Sequence, residues 1–223
     1  MTNREGRNVD LEDRIKNQFP TLSITLLSVL IALFFSDLVS EAHSRMTLWP
    51  LNVGTLRTWG QIFAMGTCAL SSWVFLAHIG ISRLRIPTLD DSLIVFLTPV
   101  PLLIGNAFVG LKEIWPWFYY ASVWLAIALA TTLTQVRMAC AEPELASFRR
   151  LARPFGPVMV LYVCIPFYAA AAWADSYGWL SPVSEMLIAM SPTPAALLFT
   201  QLFTRDWHRA IAEAQAWEAK TKP

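Results

Sequence analysis

The chain has 223 residues, of which 55% are hydrophobic and 15% charged, with a formal net charge of +1 at pH 7. An average soluble domain carries about 25% charged residues, so a mean hydropathy of +0.46 argues against an ordinary soluble all-α core. The near-neutral charge singles out no nucleic-acid partner, and none is expected.

The few charges are clustered. Residues 21–36, 58–82, 92–111, 114–136, 155–174 and 186–204 contain no Asp, Glu, Lys or Arg. Five of these runs reach about 19 residues, enough to cross a ~30 Å hydrocarbon core at 1.5 Å per residue. The first is extended upstream by an uncharged stretch from Asn17. The pattern predicts an all-α polytopic membrane protein: a cytoplasmic amphipathic segment over 1–19, a six-helix membrane domain over 20–204 and a cytoplasmic amphipathic tail over 205–223.

The first segment sets Leu11, Ile15 and Phe19 four residues apart, with charges between them. That spacing predicts a short helix on the inner surface before Pro20 opens span 1. Its mixed charges do not read as a cleavable signal peptide. Span 1 carries Ser23, Thr25 and Ser28 and ends at Asp37. The loop 38–57 holds one histidine, His43, which is no metal site by itself. Span 2 carries Gln61, Thr67, Ser71 and Ser72, with His78 near its inner end. That histidine is either a gate or pH-sensing residue, or an interfacial hydrogen-bonding residue.

Span 3 contains Thr98-Pro99-Val100-Pro101, with Asn106 further along, and span 6 contains Ser191-Pro192-Thr193-Pro194, with Gln201 further along. A proline inside a helix removes one hydrogen bond and leaves a carbonyl one turn earlier without its donor. The expected freed carbonyls are near Val95 and Leu97 in span 3 and near Leu187 and Ala189 in span 6. At membrane depth such groups need protein, trapped water or a permeant species. The first prolines of the two pairs lie 93 residues apart, and at that offset spans 4–6 overlay spans 1–3. Two readings remain open: a 3+3 inverted repeat with a central site at the broken helices, or two packing kinks in a plain bundle. Pro157 and Pro166 also interrupt span 5 without a matching pair in span 2.

Span 4 contributes Thr131, Thr132, Thr134 and Gln135, and Asp175 ends span 5. Asp37 and Asp175 either draw cations to a pore mouth or sit among wet headgroups. Residues 143–152 predict a cytoplasmic helix with acid before it and base at its end. Residues 205–219 bring Trp207, Ile211 and Ala214 to one face, a tail that lies on the membrane, packs under the bundle or pairs with another subunit.

With the N-terminus inside, the inner segments hold fourteen of the 17 Lys and Arg residues and the outer ones three. Basic residues resist translocation, so both termini are expected in the cytoplasm, in a bacterial inner membrane. Trp49, Trp59, Trp115, Trp117, Trp173 and Trp179 fall near the outer span ends, as an interfacial belt would. Cys68, Cys140 and Cys164 show no metal or redox spacing.

No G-x-S-x-G, H-E-x-x-H, Walker or C-x-x-C motif is present, so an enzyme is not expected. No span contains a lysine, which excludes a retinal Schiff base. Neither cofactor nor metal is expected. Trp73, His78 and the first proline pair resemble the helix 2–3 region of bacterial six-helix relatives of lysosomal potassium-leak channels. That family's Phe-Ser-Asp signature lies at the start of helix 1, whereas Phe35-Ser36-Asp37 lies at the far end here, so no functional residue is carried across.

The resulting expectation is a passive channel or small-solute or ion transporter. Its path would run beside spans 3 and 6 with Thr98, Pro99, Pro101, Asn106, Ser191, Pro192, Pro194 and Gln201 along it. Asp37, Asp175 and His78 would stand at the mouths. The alternative is a non-transport membrane subunit or scaffold. Expected partners are the bilayer and either further copies of the chain or other membrane subunits.

Overall fold

A computed structural model describes residues 5–45, 49–82, 99–140, 143–153 and 156–221. All regular structure among them is helical: α1 Glu5–Arg45, α2 Val53–Ser82, α3 Pro99–Asn106, α4 Trp115–Ala139, a 3-10 helix Pro143–Ala152, α5 Val158–Ser176, α6 Pro182–Met190 and α7 Pro192–Thr221. Five stretches are long and apolar enough to cross a membrane: Thr21–His43, Val53–His78, Trp115–Arg137, Val158–Ser176 and Pro182–Trp217. The chain therefore has the composition and helix lengths of a helical membrane protein. The expected span 3 lies partly outside the described residues; its visible part is the short α3, followed by turns.

Local chemistry explains the helix ends. Asn52 and Thr55 cap α2 reciprocally: Asn52 Oδ1 accepts the Thr55 N–H at 2.9 Å, and Thr55 Oγ1 accepts the Asn52 N–H at 2.7 Å. Ser181 caps α6 through the Ser184 N–H, with Pro182 next in the first helical turn. Gly178 takes φ +69° just after α5, and the Trp179 N–H returns to the Ala174 carbonyl at 3.0 Å, a left-handed helix stop that favours glycine.

Three expectations change. First, α1 runs without interruption from Glu5 through Pro20 to Arg45, so Asp37 lies two turns inside the helix instead of ending it. Second, Pro157 precedes α5 and only Pro166 lies within that helix. Third, α7 continues unbroken into the tail, and its 30 residues span about 45 Å. Its first tail turn docks on the 3-10 helix: Phe148 meets Trp207 edge-on at 4.8 Å, and Ser147 Oγ donates to the Ala210 carbonyl at 3.0 Å.

The helices sort into two layers. One is built on α2, which packs against α1, α6 and α7 and, more lightly, α3; the other is the α4–α5 pair. Helix α1 turns one stripe inward, Leu27, Ile31, Phe34 and Leu38, while Leu22, Leu26, Val29 and Leu33 face outward. Helices α2 and α6 approach most closely at Gly60. A Cβ there would lie 2.7 Å from Met190 Cγ, 3.2 Å from the Met190 nitrogen and 3.3 Å from the Ala189 carbonyl carbon. Close backbone approach through small residues is how helices gain contact where lipid supplies no hydrophobic drive.

Gly60→Leu overpacks this crossing and is expected to cost about 1–3 kcal/mol or more, read as a lowered midpoint of thermal unfolding in detergent. An unchanged midpoint would mean that α2 and α6 do not meet there.

Candidate functional site

The α4–α5 pair meets the α2 layer lightly, through α5 against α7 and α4 against α3. The seam holds a partly open cavity of about 70 Å³. Its walls come from four helices: Cys68, Ser71 and Phe75 of α2, Trp124 and Thr132 of α4, Cys164 and Tyr168 of α5, and Pro192, Ala196 and Phe199 of α7. A smaller void of about 20 Å³ continues along the seam past Trp124 and Tyr168 toward Met65 and Trp117.

No charged residue lines either space. Three hydroxyls at the cavity donate to protein carbonyls. Ser72 donates to the Cys68 carbonyl at 2.8 Å, Thr132 to the Ala128 carbonyl at 2.7 Å and Ser71 to the Ala196 carbonyl at 3.3 Å. Thr200 Oγ1, packed beside the wall, lies 2.8 Å from Ser71 Oγ. These are the bonds that hydroxyls make to their own or a neighbouring helix. What the walls offer an occupant is apolar surface and the lone pairs of hydroxyl oxygens.

The span 6 proline pair does something other than break a helix interior. Pro192 and Pro194 stand in the first turn of α7, whereas Pro99 is the first described residue of α3 and the expectation for span 3 lies partly outside the described residues. First-turn amides have no intrahelical acceptor, so proline there costs no bond. The carbonyl that Pro192 leaves unserved is that of Ile188, one residue beyond the expected Leu187. Its acceptor is filled by the Ser191 N–H at 3.1 Å and the Ser191 hydroxyl at 2.7 Å. The Tyr168 hydroxyl in turn lies 2.7 Å from Ser191 Oγ, linking α5 to the α6–α7 junction. The Tyr120 hydroxyl donates to the Pro101 carbonyl.

The sequence candidates therefore scatter. Pro192 is buried on the cavity wall, with Ser191 behind it. Pro194 faces an outward groove with Gly60, Phe63 and Met190. Gln201 is exposed on the far side of α7 and lines nothing in the bundle. Thr98, Val95 and Leu97 lie outside the described residues. Asn106 and Asp37 come together: Asn106 is buried, and its Nδ2–H donates to Asp37 Oδ2 at 2.8 Å. The pair ties α1 to α3 away from the cavity. His78 packs edge-on against Phe203 and Trp207 at 5.9 and 5.4 Å, and its Nδ1 lies 2.7 Å from the Val74 carbonyl.

Asp175 joins a charged cluster that sequence reasoning missed. Arg57 of α2 contacts Glu185 of α6 at 2.6 Å. Its other terminal nitrogen donates to the carbonyls of Leu111 at 3.0 Å and Lys112 at 3.2 Å. Asp175, at the end of α5, lies close to Glu185, to Arg57 and to the start of α4. Arg57 and Glu185 are 128 residues apart, and no local spacing signals that they meet. Trp49, Trp115, Trp173 and Trp179 are exposed at this end, whereas Trp117 is buried in the core instead of in a surface belt.

Comparison with protein-family models, with curated proteins and with solved structures finds no match. The partial resemblance to potassium-leak channel relatives therefore assigns no residue a role.

Asn106→Leu removes the buried amide at Asp37 with little change of volume. Its expected cost is about 0.6–1.7 kcal/mol, the range for a polar link between membrane helices, read by unfolding in mixed micelles. Gln201→Leu is expected to stay within about 0.5 kcal/mol of the wild type. Equal losses for both would mean that the two residues are packed alike.

Proposed function

We propose that the chain is a passive membrane conduit for small neutral solutes whose path follows the seam between α2–α7 and α4–α5. The observation that carries this reading is the partly open cavity against the α6–α7 junction, walled by four helices without a charged residue. An ion leaving water there would meet apolar side chains and a few hydroxyls, three of which already donate to protein carbonyls, which does not repay its dehydration. A small molecule with an apolar body and a weak donor meets complementary walls. The proposal includes six spans, the sixth completed by the run 92–111, with both termini on the cytoplasmic side that holds the excess of Lys and Arg. The path runs past Pro192 of the span 6 pair, and no described residue of α3 lines the cavity.

A second reading, a membrane-embedded subunit without transport, is favoured by α1. It packs on α2 and α3 and presents Leu22, Leu26, Val29 and Leu33 outward, a face for lipid or for another membrane helix.

Purified protein in liposomes separates the two. Under the conduit reading, small alcohols, amides and polyols cross faster than in empty liposomes, while K⁺, Cl⁻ and proton fluxes stay at background. Ala196→Phe fills the cavity and is expected to lower solute flux about tenfold, the effect of ~1.4 kcal/mol on a barrier. A folded protein that passes none of these solutes supports the subunit reading.

A further inference from the structure

We infer that the seam cavity opens sideways between α5 and α7 and takes the methyl end of a lipid acyl chain from the surrounding bilayer. The inference rests on the chain spanning a membrane and holds whether or not solutes cross it. The depth of the cavity suits this occupant. On its walls, Cys68, Ala128 and Cys164 each lie within about 5 Å of the middle of their apolar stretches, measured along the helix. A hydrocarbon core is ~30 Å thick, so an opening at this level faces the plane where the chains of the two leaflets end.

Three sides of the space are bridged. Between α2 and α7, Ser71 Oγ donates to the Ala196 carbonyl and Thr200 Oγ1 to Ser71 Oγ. Between α4 and α5, Ser122 Oγ donates to the Ile165 carbonyl at 3.0 Å. Between α2 and α4 stands α3: a Cβ on its Gly105 would lie 2.6 Å from Met65 Cε and 2.5 Å from Tyr120 Cε1. The fourth side, α5 to α7, is linked by Tyr168 and Ser191 at the Pro192 end. Further along that side, Val160 and Cys164 of α5 share the wall with Ala195 and Ala196 of α7, and all four are half-buried. Their small side chains leave the gap unfilled. Outside it, the exposed Val163 and Phe167 of α5 and Leu198 of α7 continue as apolar surface.

The walls select a hydrocarbon. No charged residue lines the space, and water entering it would exchange its own hydrogen bonds for mostly apolar surface. An acyl chain is already out of water. Its gain is dispersion contact with walls that otherwise face a void. The volume of about 70 Å³ is roughly half that of a ~150 Å³ apolar cavity able to hold benzene. It admits about three carbons of a chain end on that scale, and not a whole lipid. The chain end shares its walls with the proposed path, so it and a passing solute exclude each other.

The test is photolabelling in vesicles of dioleoylphosphatidylcholine doped with a phosphatidylcholine that carries a diazirine on the terminal carbons of one chain. A control lipid carries the diazirine beside the ester, and adducts are mapped by peptide mass spectrometry. The buried wall residues Cys68 and Trp124 are expected to take about tenfold more label from the chain-end probe than from the control. Ala196→Phe, which fills the space, lowers those adducts about tenfold and leaves the exposed Val163 labelled as before. Folded wild-type protein labelled at Val163 but not at Cys68 or Trp124 overturns the inference, and that readout needs no variant. A wall occupied by water or by a second copy of the chain gives this result. Equal wall labelling in wild type and folded Ala196→Phe overturns it as well. Wall adducts in a protein that passes no solute keep the acyl-chain site and remove the conduit. Solute flux with an unlabelled wall does the reverse.

Discussion

At membrane depth every backbone N–H and C=O must find a partner within the protein, because lipid offers none. The arrangement of this chain follows from how that constraint is met around its prolines. The Pro192–Pro194 pair stands where a helix begins, and there the missing amide hydrogen has no intrahelical acceptor to disappoint. The cost moves to the carbonyl before the junction. At α6–α7 it is carried by Ser191, whose amide and hydroxyl both reach the Ile188 oxygen. Serine at that position thus belongs to the proline motif, and Tyr168 from α5 fixes the serine in turn. A backbone requirement in one helix becomes a contact between layers, beside the cavity.

The seam exists because the layers are knit differently within and between. Inside the first layer, Gly60 lets α2 and α6 approach until their backbones nearly touch. Inside the second, Ser122 of α4 donates to the Ile165 carbonyl just before Pro166 of α5, and the small residues Ala171 and Ala172 are buried. Between layers, bulky residues meet small ones without filling the space: Trp124 and Phe199 stand opposite Ala128 and Ala196 around the void. In water such a void would be penalised as lost apolar burial and packing. In a bilayer the hydrophobic drive between helices is absent, and packing and polar links decide association. A loosely filled seam is then tolerable as long as its ends are tied.

Much of the helical layout was legible in the sequence, since charge-free runs of span length leave few alternatives to membrane helices. A helical element starting at Pro143 and the helical continuation past Arg205 were legible too, though the first is 3-10 and not α. The misplacements have physical causes. Asp37 ends the uncharged run, but a carboxylate ends a hydrophobic segment and not a helix, and α1 continues to Arg45. Gln201 was placed on the path by its position in the span. Its helical phase says otherwise, because Phe199, Phe203 and Trp207 mark the inward stripe of α7 and residue 201 falls off it. The Arg57–Glu185–Asp175 cluster was illegible for a different reason. Its members flank the spans, where charges are expected, and only the tertiary fold shows that three of them share one place.

The two ends of the seam differ in the kind of energy that holds them. At the Trp207 end, Phe203 and Trp207 are 1% and 5% exposed, and burying an aromatic side chain of this size next to water is worth about 1.5–3 kcal/mol. Parting the layers there would expose several such rings at once. At the Arg57 end stands an ion pair inside the α2 layer, partly open to water. Pairs of that kind range from about 0–1 kcal/mol when exposed to several kcal/mol when one partner is stripped away in a buried setting. Opening that exchanges protein bonds for water bonds strips neither partner, so it sits at the low end. Removing one residue by mutation strands the other charge and sits at the high end. The same ion pair can therefore be cheap to open in the intact protein and costly to mutate, so the loss of stability in a variant overstates what opening it costs the intact chain.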